Sequence, residues 1–287
     1  MKILYITNYI SIAKASGGFI NDYLNDLLFY GLYELENIEI VDSTPIVHLY
    51  KENQTKISQQ WLWGKGFTST YLIDKDNIDR SNIEDKIKDK YFDLIIYGSP
   101  YRCLDYYELI SSIYPANRIF LIDGNDLTDV HSLSIKHPYF KRELTSDKFI
   151  PIHFAIPECK ITNNKLEKIQ EYGKIIPGQG GYIFDNEQEY YNDYNKSFFG
   201  VTMKKAGWDC MRHYEILANN CIPYFINLDE CPEYTLTNLP KELLLKAREL
   251  ANNFDEQKYF SILNELFDYT KNNLTTKKLA QHVLNYV

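Results

Sequence analysis

The fold of this chain is decided by the stretch Arg118-Ile119-Phe120-Leu121-Ile122-Asp123-Gly124, an apolar run that ends in a carboxylate and a glycine. Similar apolar runs in the first half cover residues 2–7, 38–42, 93–98 and 149–156. Continuous rather than alternating apolarity is typical of strands that are covered on both faces, as in a parallel sheet. We therefore predict a parallel sheet over the first half of the chain.

A helix is predicted between the first two strands, over residues 21–36, because leucines recur there at helical spacing. These are Leu24, Leu27, Leu28, Leu32 and Leu35. Strand, helix and strand form a βαβ unit, and its repetition gives a doubly wound α/β fold.

The second half of the chain is predicted to be a smaller α/β unit that begins near residue 157. Two prolines, Pro151 and Pro157, bracket the predicted crossing from the first half to the second. The predicted elements are a helical stretch at 164–172, a glycine-rich turn at 177–181, strands at 197–202 and 222–225, and helices at 207–219, 241–252, 255–272 and 275–286. We expect two Rossmann-like domains that face a cleft, over residues 1–157 and 158–287.

Composition excludes several classes of protein. A net charge of −8 argues against a nucleic-acid polymer as partner, because there is no basic excess to displace counterions from phosphates. The five cysteines are widely spaced without a C-x-x-C, which indicates neither a disulfide framework nor a zinc site and fits a reducing, cytoplasmic location. No apolar run reaches the roughly 18 residues of a membrane helix, and peripheral membrane contact stays open.

The densest functional pattern lies in the second half and consists of Lys204, Lys205, Gly207, Arg212 and Glu215. The lysines precede a predicted helix start, where charge and free backbone N–H groups would meet an anion. A guanidinium fork suits bidentate phosphate contact, and a carboxylate three residues later on the same helix face suits the hydroxyls of a ribose. The pattern predicts a site for a diphosphate and a sugar. The alternative is an Arg212–Glu215 ion pair within the helix.

Gly17 and Gly18 follow the first predicted strand and precede the predicted helix at 21–36. Paired glycines there would let the backbone approach a ligand closely, while the helix start offers N–H groups to an anion. We expect both to contribute to ligand binding. The alternative is a tight turn with no ligand.

Asp123 and Asp126 are the candidate catalytic residues, because a carboxylate at the carboxyl edge of a central strand can act as a general base. The alternative is that Asp-Gly-Asn-Asp is an ordinary turn. Asp22 is a lesser candidate, with capping or pairing on the helix surface as its alternative role.

Two further segments are less specific. The Tyr139-Phe140-Lys141-Arg142-Glu143-Leu144 stretch could guide an anionic substrate, but we favour a solvated helix face with an internal Arg–Glu pair. For His213, a packed and hydrogen-bonded ring is favoured over a catalytic one.

The segment from Gly207 to Ala218, followed by Cys221-Ile222-Pro223, resembles the donor-binding segment of GT-B glycosyltransferases. It is similar in particular to the exostosin-like branch, with its Arg-x-x-Glu-Ala-Leu and Ile-Pro pattern. Gly17-Gly18 after Lys14 is similar to the glycine loop of glycogen-synthase-like members. The resemblance implies that a nucleotide-diphosphate sugar is held mainly by the C-terminal half and a glycan or other glycoconjugate acceptor by the N-terminal half.

The resemblance also bears on mechanism. Retaining members carry two glutamates eight positions apart, and if Glu215 is the second, the first falls on Gly207. We therefore expect an inverting, metal-independent sugar transfer without a further cofactor. Transfer of another phosphate-activated group, or a nucleotide-sugar-binding subunit without catalysis, are the alternatives.

One competing pattern points to a metal. Asp74-Lys75-Asp76 follows an apolar run and is similar to the Asp-x-Asp motif of GT-A glycosyltransferases, which binds a metal–diphosphate complex. The downstream lysines and arginine would be redundant with such a metal, so we expect none.

Overall fold

The computed structural model describes residues 1–179 and 183–287 and shows an α/β protein with two parallel sheets. The larger sheet has the order β2-β1-β3-β4-β5-β6 and the smaller one β7-β8-β9. The strands are β1 (Lys2–Ile6), β2 (Glu39–Asp42), β3 (Leu94–Tyr97), β4 (Ile119–Asp123), β5 (Tyr139–Lys141), β6 (Ile150–Pro151), β7 (Gln170–Tyr172), β8 (Ser197–Thr202) and β9 (Ile222–Phe225).

Helices connect the strands and cover the sheets. Those of the described ranges are α1 (Tyr9–Ala15), α2 (Tyr23–Tyr33), α3 (Ile83–Lys88), α4 (Tyr107–Ile113), α5 (Glu187–Asn195), α6 (Met211–Ala218), α7 (Lys241–Leu250), α8 (Glu256–Asn273) and α9 (Thr276–Leu284). Within those ranges, none of the helices combines the length and apolarity that crossing a bilayer requires.

The apolar runs form the centre of the larger sheet, as predicted. Every residue of β3 and β4 is buried, and β1 pairs in parallel with both β2 and β3. Burial on both faces explains why these strands are apolar at every position rather than at alternate ones. The strand predictions for β8 and β9 are confirmed as well.

Two predictions about local structure are wrong. Residues 139–144 do not form a solvated helix face, because residues 139–141 form β5, which lies between β4 and β6, and residues 140–144 are buried. The lysine of β5 is fully buried, and the Lys141 ammonium lies 3.0 Å from an Asp123 oxygen, which compensates the buried charge. The helix predicted at 164–172 is absent from these described residues, and β7 occupies its end.

The strand predicted at 149–156 shortens to β6. The predicted turn at 177–181 lies only partly within the described residues, where Gly178 has a positive φ of 82°. Gly180 and Gly181 lie outside them.

The last helix returns to the first sheet. α9 packs against α2, where a Cβ built on Gly31 would stand 2.1 Å from the Thr276 carbonyl oxygen. Beside this contact Ile156 and Thr275 form a parallel bridge, with Ile156 N–H bonded to Leu274 O at 2.9 Å and Thr276 N–H bonded to Ile156 O at 3.0 Å. The division of the chain at residue 157 stays a prediction.

We expect Gly31→Ala to destabilise the protein by about 1–3 kcal/mol, because the added methyl group would push α9 away from α2. In an exposed helix the same change stabilises by up to about 1 kcal/mol, so the sign of the effect reports the packing. Urea unfolding measures it. Ser261→Ala on the exposed face of α8 is the control and should be close to neutral; a similarly neutral Gly31→Ala would contradict the close packing.

Candidate functional site

A cleft of about 520 Å³ lies where the carboxyl ends of strands from both sheets converge. Gly124 and Asp126 follow β4, Arg142 follows β5, and the loop from Lys205 to Cys210 follows β8. Ligands of open α/β sheets bind outside the carboxyl ends of the strands, so the cleft is the place where this fold would hold one.

Arg212 enters the cleft from the first turn of α6. Its Nη1 is buried and has no hydrogen-bond partner among the described residues. The alternative of an Arg212–Glu215 ion pair is not realised, because within the described chain Glu215 takes its hydrogen bonds from two hydroxyls instead. A buried cationic donor without a partner is costly, and an anion in the cleft would satisfy it.

The start of α6 adds to this positive environment. Its N-cap residue, Cys210, provides no side-chain acceptor for the N–H groups of the first turn. Lys205 is exposed and lines the cleft, and the described residues offer its ammonium no ion pair. Lys204 is also exposed but does not line the cleft, and its Nζ lies 5.6 Å from the Trp208 ring centroid.

Both lysines precede the helix, as predicted, but the helix begins later than the predicted start at residue 207. α6 begins at Met211, four positions after Gly207, and both lysines lie in the loop that precedes it. Gly207 is nevertheless required there, because a Cβ on it would come within 2.5 Å of a Glu143 carboxylate oxygen.

Glu215 lines the cleft but is 5% exposed and already bonded. Thr68 Oγ1 donates to its Oε1 at 2.6 Å, and Tyr190 OH donates to its Oε2 at 2.6 Å. Burial raises the pKa of Glu215, while these two hydroxyls oppose the shift. The carboxylate thus fastens a loop of the first half to α6, and its predicted contact with a ribose remains a prediction.

The two candidate catalytic carboxylates lie in different environments. Asp123 is 1% exposed, accepts from Tyr139 OH at 2.5 Å and pairs with Lys141, and it does not line the cleft. The charge of this carboxylate is already compensated by Lys141. Asp126 does line the cleft, with its side chain 48% exposed and paired with Arg142. Of these two carboxylates, the structure brings Asp126 to the cleft.

Arg142, which lines the cleft, and its neighbour Glu143 are structural residues that the sequence analysis assigned to a solvated surface. Arg142 is 3% exposed, and its guanidinium donates to Gly124 O at 3.0 Å and to the Asp209 carbonyl oxygen. Glu143 accepts the N–H groups of Trp208 and Asp209, each at 3.1 Å. Together they tie the end of β5 to the loop before α6.

Asp209 is an ionisable residue of the cleft that sequence reasoning missed. It is 3% exposed, its Oδ2 accepts from Phe154 N–H at 2.7 Å, and its Oδ1 has no partner among the described residues. Burial raises the pKa of Asp209 to about 6, and the Arg142 charge opposes the shift. Nothing in the sequence distinguishes this aspartate from others, because its desolvation comes from the packing of both halves.

The prediction that Gly17 and Gly18 directly follow the first strand is wrong, because α1 lies between β1 and the two glycines. They end that helix instead. Gly17 has a φ of 69°, and Gly18 N–H bonds to Ala13 O at 2.7 Å, the pattern of a glycine C-cap. Neither lines the cleft.

Asp22 has the capping role that the sequence analysis gave as its alternative. It is the N-cap of α2 and accepts from Asn25 N–H at 3.2 Å. Its carboxylate also pairs with Arg102, and both side chains line the cleft. Arg102 was not predicted, since it stands in an unremarkable turn after β3.

The Asp-x-Asp pattern lies away from the cleft. Asp74 is bonded to Lys51 at 2.7 Å, and Asp76 is bonded to Arg80 at 2.9 Å. Neither aspartate lines the cleft.

His213 is a packed residue, as predicted. It is fully buried, its Nδ1 lies 2.9 Å from Thr202 Oγ1, and its Nε2 lies 2.9 Å from the Trp208 carbonyl oxygen. Burial lowers the pKa of His213 to about 3, with the cations Arg212 and Arg142 adding to the shift. The neutral ring therefore donates from Nε2 to Trp208 O and accepts from Thr202 at Nδ1.

Comparisons with known proteins add no assignment. No protein-family model matches the chain, and no curated protein sequence matches it. Inference about its role therefore rests on the cleft itself.

We expect Tyr190→Phe to lower the free energy of unfolding by about 1–3 kcal/mol at pH 7, because a buried Glu215 oxygen loses its donor. The loss should shrink in acid, where Glu215 is protonated. Denaturant unfolding at pH 7 and in acid measures this loss of stability. Tyr33→Phe at the exposed end of α2 is the control. A neutral Tyr190→Phe would contradict the described hydrogen bond.

His213 should make stability depend on pH in a defined direction. The unfolded chain protonates this ring near pH 6.5, but the folded chain does so only near pH 3, so its contribution is complete above pH 6.5 and is lost as the pH falls. His213→Gln should be less stable than the wild type at pH 7, and the gap should narrow toward pH 4. Chemical denaturation between pH 4 and 7 measures this; a constant gap would show that the ring titrates normally.

Proposed function

We propose that the cleft binds the diphosphate of a nucleotide-activated sugar and that the protein is a glycosyltransferase. The observation that carries the proposal is the Arg212 guanidinium, which lines the cleft with a buried Nη1 that has no partner among the described residues. A doubly charged diphosphate would supply the missing acceptor.

Two of the cationic side chains in the cleft lack a carboxylate partner among the described residues, which supports an anionic ligand. Four cationic side chains line the cleft, and they divide into two kinds. Arg102 and Arg142 are paired with carboxylates, whereas Arg212 and Lys205 lack such an ion pair among the described residues. The buried carboxylates of Asp209 and Glu215 also line the cleft, so Arg212 and Lys205 offer direct contacts to an anion rather than a net charge of two.

The same groups would assist the chemistry. As the bond between the anomeric carbon and the diphosphate oxygen breaks, negative charge grows on the leaving group. The cations and the uncapped start of α6 would stabilise this growing charge, and they would therefore stabilise the transition state more than the ground state. No metal is needed in this proposal, because Arg212 and Lys205 supply the positive charge.

The acceptor hydroxyl must lose a proton as its oxygen attacks the anomeric carbon. In the proposal Asp126 takes this proton, since it is the candidate carboxylate that lines the cleft and is half-exposed. Asp123 is not proposed for this step because it is buried against Lys141. Direct displacement at one carbon would invert the anomeric configuration.

Calorimetric titration with UDP, GDP, ADP and dTDP tests the diphosphate site. We expect at least one of them to bind the wild type, and Arg212→Ala to weaken that binding about 10- to 100-fold, the range for a lost charged hydrogen bond. Arg212→Lys should restore part of it. Release of nucleoside diphosphate from the corresponding sugar nucleotide then tests turnover. If none of the diphosphates binds, the proposal is wrong; binding without turnover on any acceptor would indicate a binding subunit.

The adjacent lysines form a matched control pair for the same titration. Lys205→Ala removes a cation that lines the cleft and should weaken binding several-fold, with an effect that diminishes at high salt. Lys204→Ala removes an exposed cation that does not line the cleft and should leave binding unchanged. Equal losses in both variants would indicate general attraction rather than a site.

A further inference from the structure

The wall of the cleft contributed by the first half carries an aromatic ring that the proposed diphosphate site does not use. Trp63 lines the cleft with 46% of its surface exposed. One face of its indole is covered by Phe19, whose ring is nearly parallel at 3.8 Å between centroids and 18° between planes. The exposed area therefore comes from the opposite face and the edges of the indole.

The backbone of Trp63 is held firmly despite this exposure. Its N–H donates to Asn21 Oδ1 at 2.7 Å, and its carbonyl oxygen accepts from Tyr23 OH at 3.2 Å and from Asn21 Nδ2 at 3.4 Å. Asn21 is itself 1% exposed. An apolar ring that is fixed in place and left facing a cleft is preorganised to stack on a ligand.

Polar groups stand on the same wall. Asp22 follows Asn21 directly, and its ion pair with Arg102 lines the cleft. A carboxylate and a guanidinium offer acceptors and donors in fixed planes, as the hydroxyl groups of a sugar require. The C–H groups on one face of a pyranose carry partial positive charge and fit the electron-rich face of an indole.

We propose that Trp63 is the stacking platform for a pyranose ring of the acceptor, with Asp22 and Arg102 directed to its hydroxyls. The inference rests on the proposed function and narrows the acceptor to a carbohydrate. The first half of the chain supplies these three residues, whereas Arg212 and Lys205 of the diphosphate site come from the second half. The Asp22–Arg102 pair beside the ring supplies acceptors and donors for several hydroxyl groups, which favours a sugar over the nucleobase of the donor at Trp63.

Titration of methyl glycosides of glucose, galactose, mannose and N-acetylglucosamine, observed by saturation-transfer NMR, tests the platform. We expect at least one glycoside to bind the wild type and Trp63→Ala to weaken it about tenfold or more. Trp63→Phe should retain part of the affinity. Trp61→Ala is the matched control, because Trp61 is 47% exposed two residues away and does not line the cleft, and it should bind as the wild type does.

Circular dichroism and thermal unfolding establish that each variant is folded. Absence of binding by all four glycosides, or equal affinity in Trp63→Ala and the wild type, overturns the inference. Weaker UDP binding in Trp63→Ala with unchanged glycoside binding also overturns it and assigns the ring to the nucleobase. If nucleoside diphosphates fail to bind while Trp63→Ala still loses glycosides, the diphosphate proposal fails and the platform stands.

Discussion

The buried guanidinium of Arg142 holds the cleft together. It bonds to the carbonyl oxygen of Gly124 at the end of β4 and to that of Asp209 before α6, and it lies 4.7 Å from the Phe154 ring centroid. A buried charge is tolerated only when it is paired and its donors are satisfied. Losing either carbonyl acceptor would leave a buried N–H donor of the guanidinium unsatisfied, so the same residue fixes the two sides of the cleft relative to each other.

The centre of the larger sheet could be predicted from sequence because its signal is local. The apolar runs of β3 and β4 are buried on both faces, and that alone makes them continuous. β5 could not be recognised in the same way, since Lys141 is neutralised by Asp123 of the neighbouring strand. Sequence analysis assigns a lysine to the surface, because the carboxylate that pairs with it in the folded chain cannot be recognised from the sequence.

The candidate site shows the same division. Arg212 could be singled out because its residue type and its position near a glycine turn carry the chemistry, and it does line the cleft. Glu215 could be placed on the correct helix face, but its bonds to Thr68 and Tyr190 come from distant segments that no local pattern announces. The raised pKa of Asp209 likewise arises from burial between the two halves. The reactive groups can be recognised from the sequence. Which of them already have hydrogen-bond or ion-pair partners is decided by long-range packing.

The bridge between Ile156 and Thr275 has a mechanical consequence. The chain passes from the first sheet to the second at Pro157 and returns through Leu274, and these two passages are hydrogen-bonded side by side. Because the two passages lie side by side, any rotation of the smaller sheet against the larger one must bend both of them at once. Two passages that are bonded to each other resist such a rotation more than a single linker would, and they act with the Arg142 contacts to keep the two walls of the cleft in place.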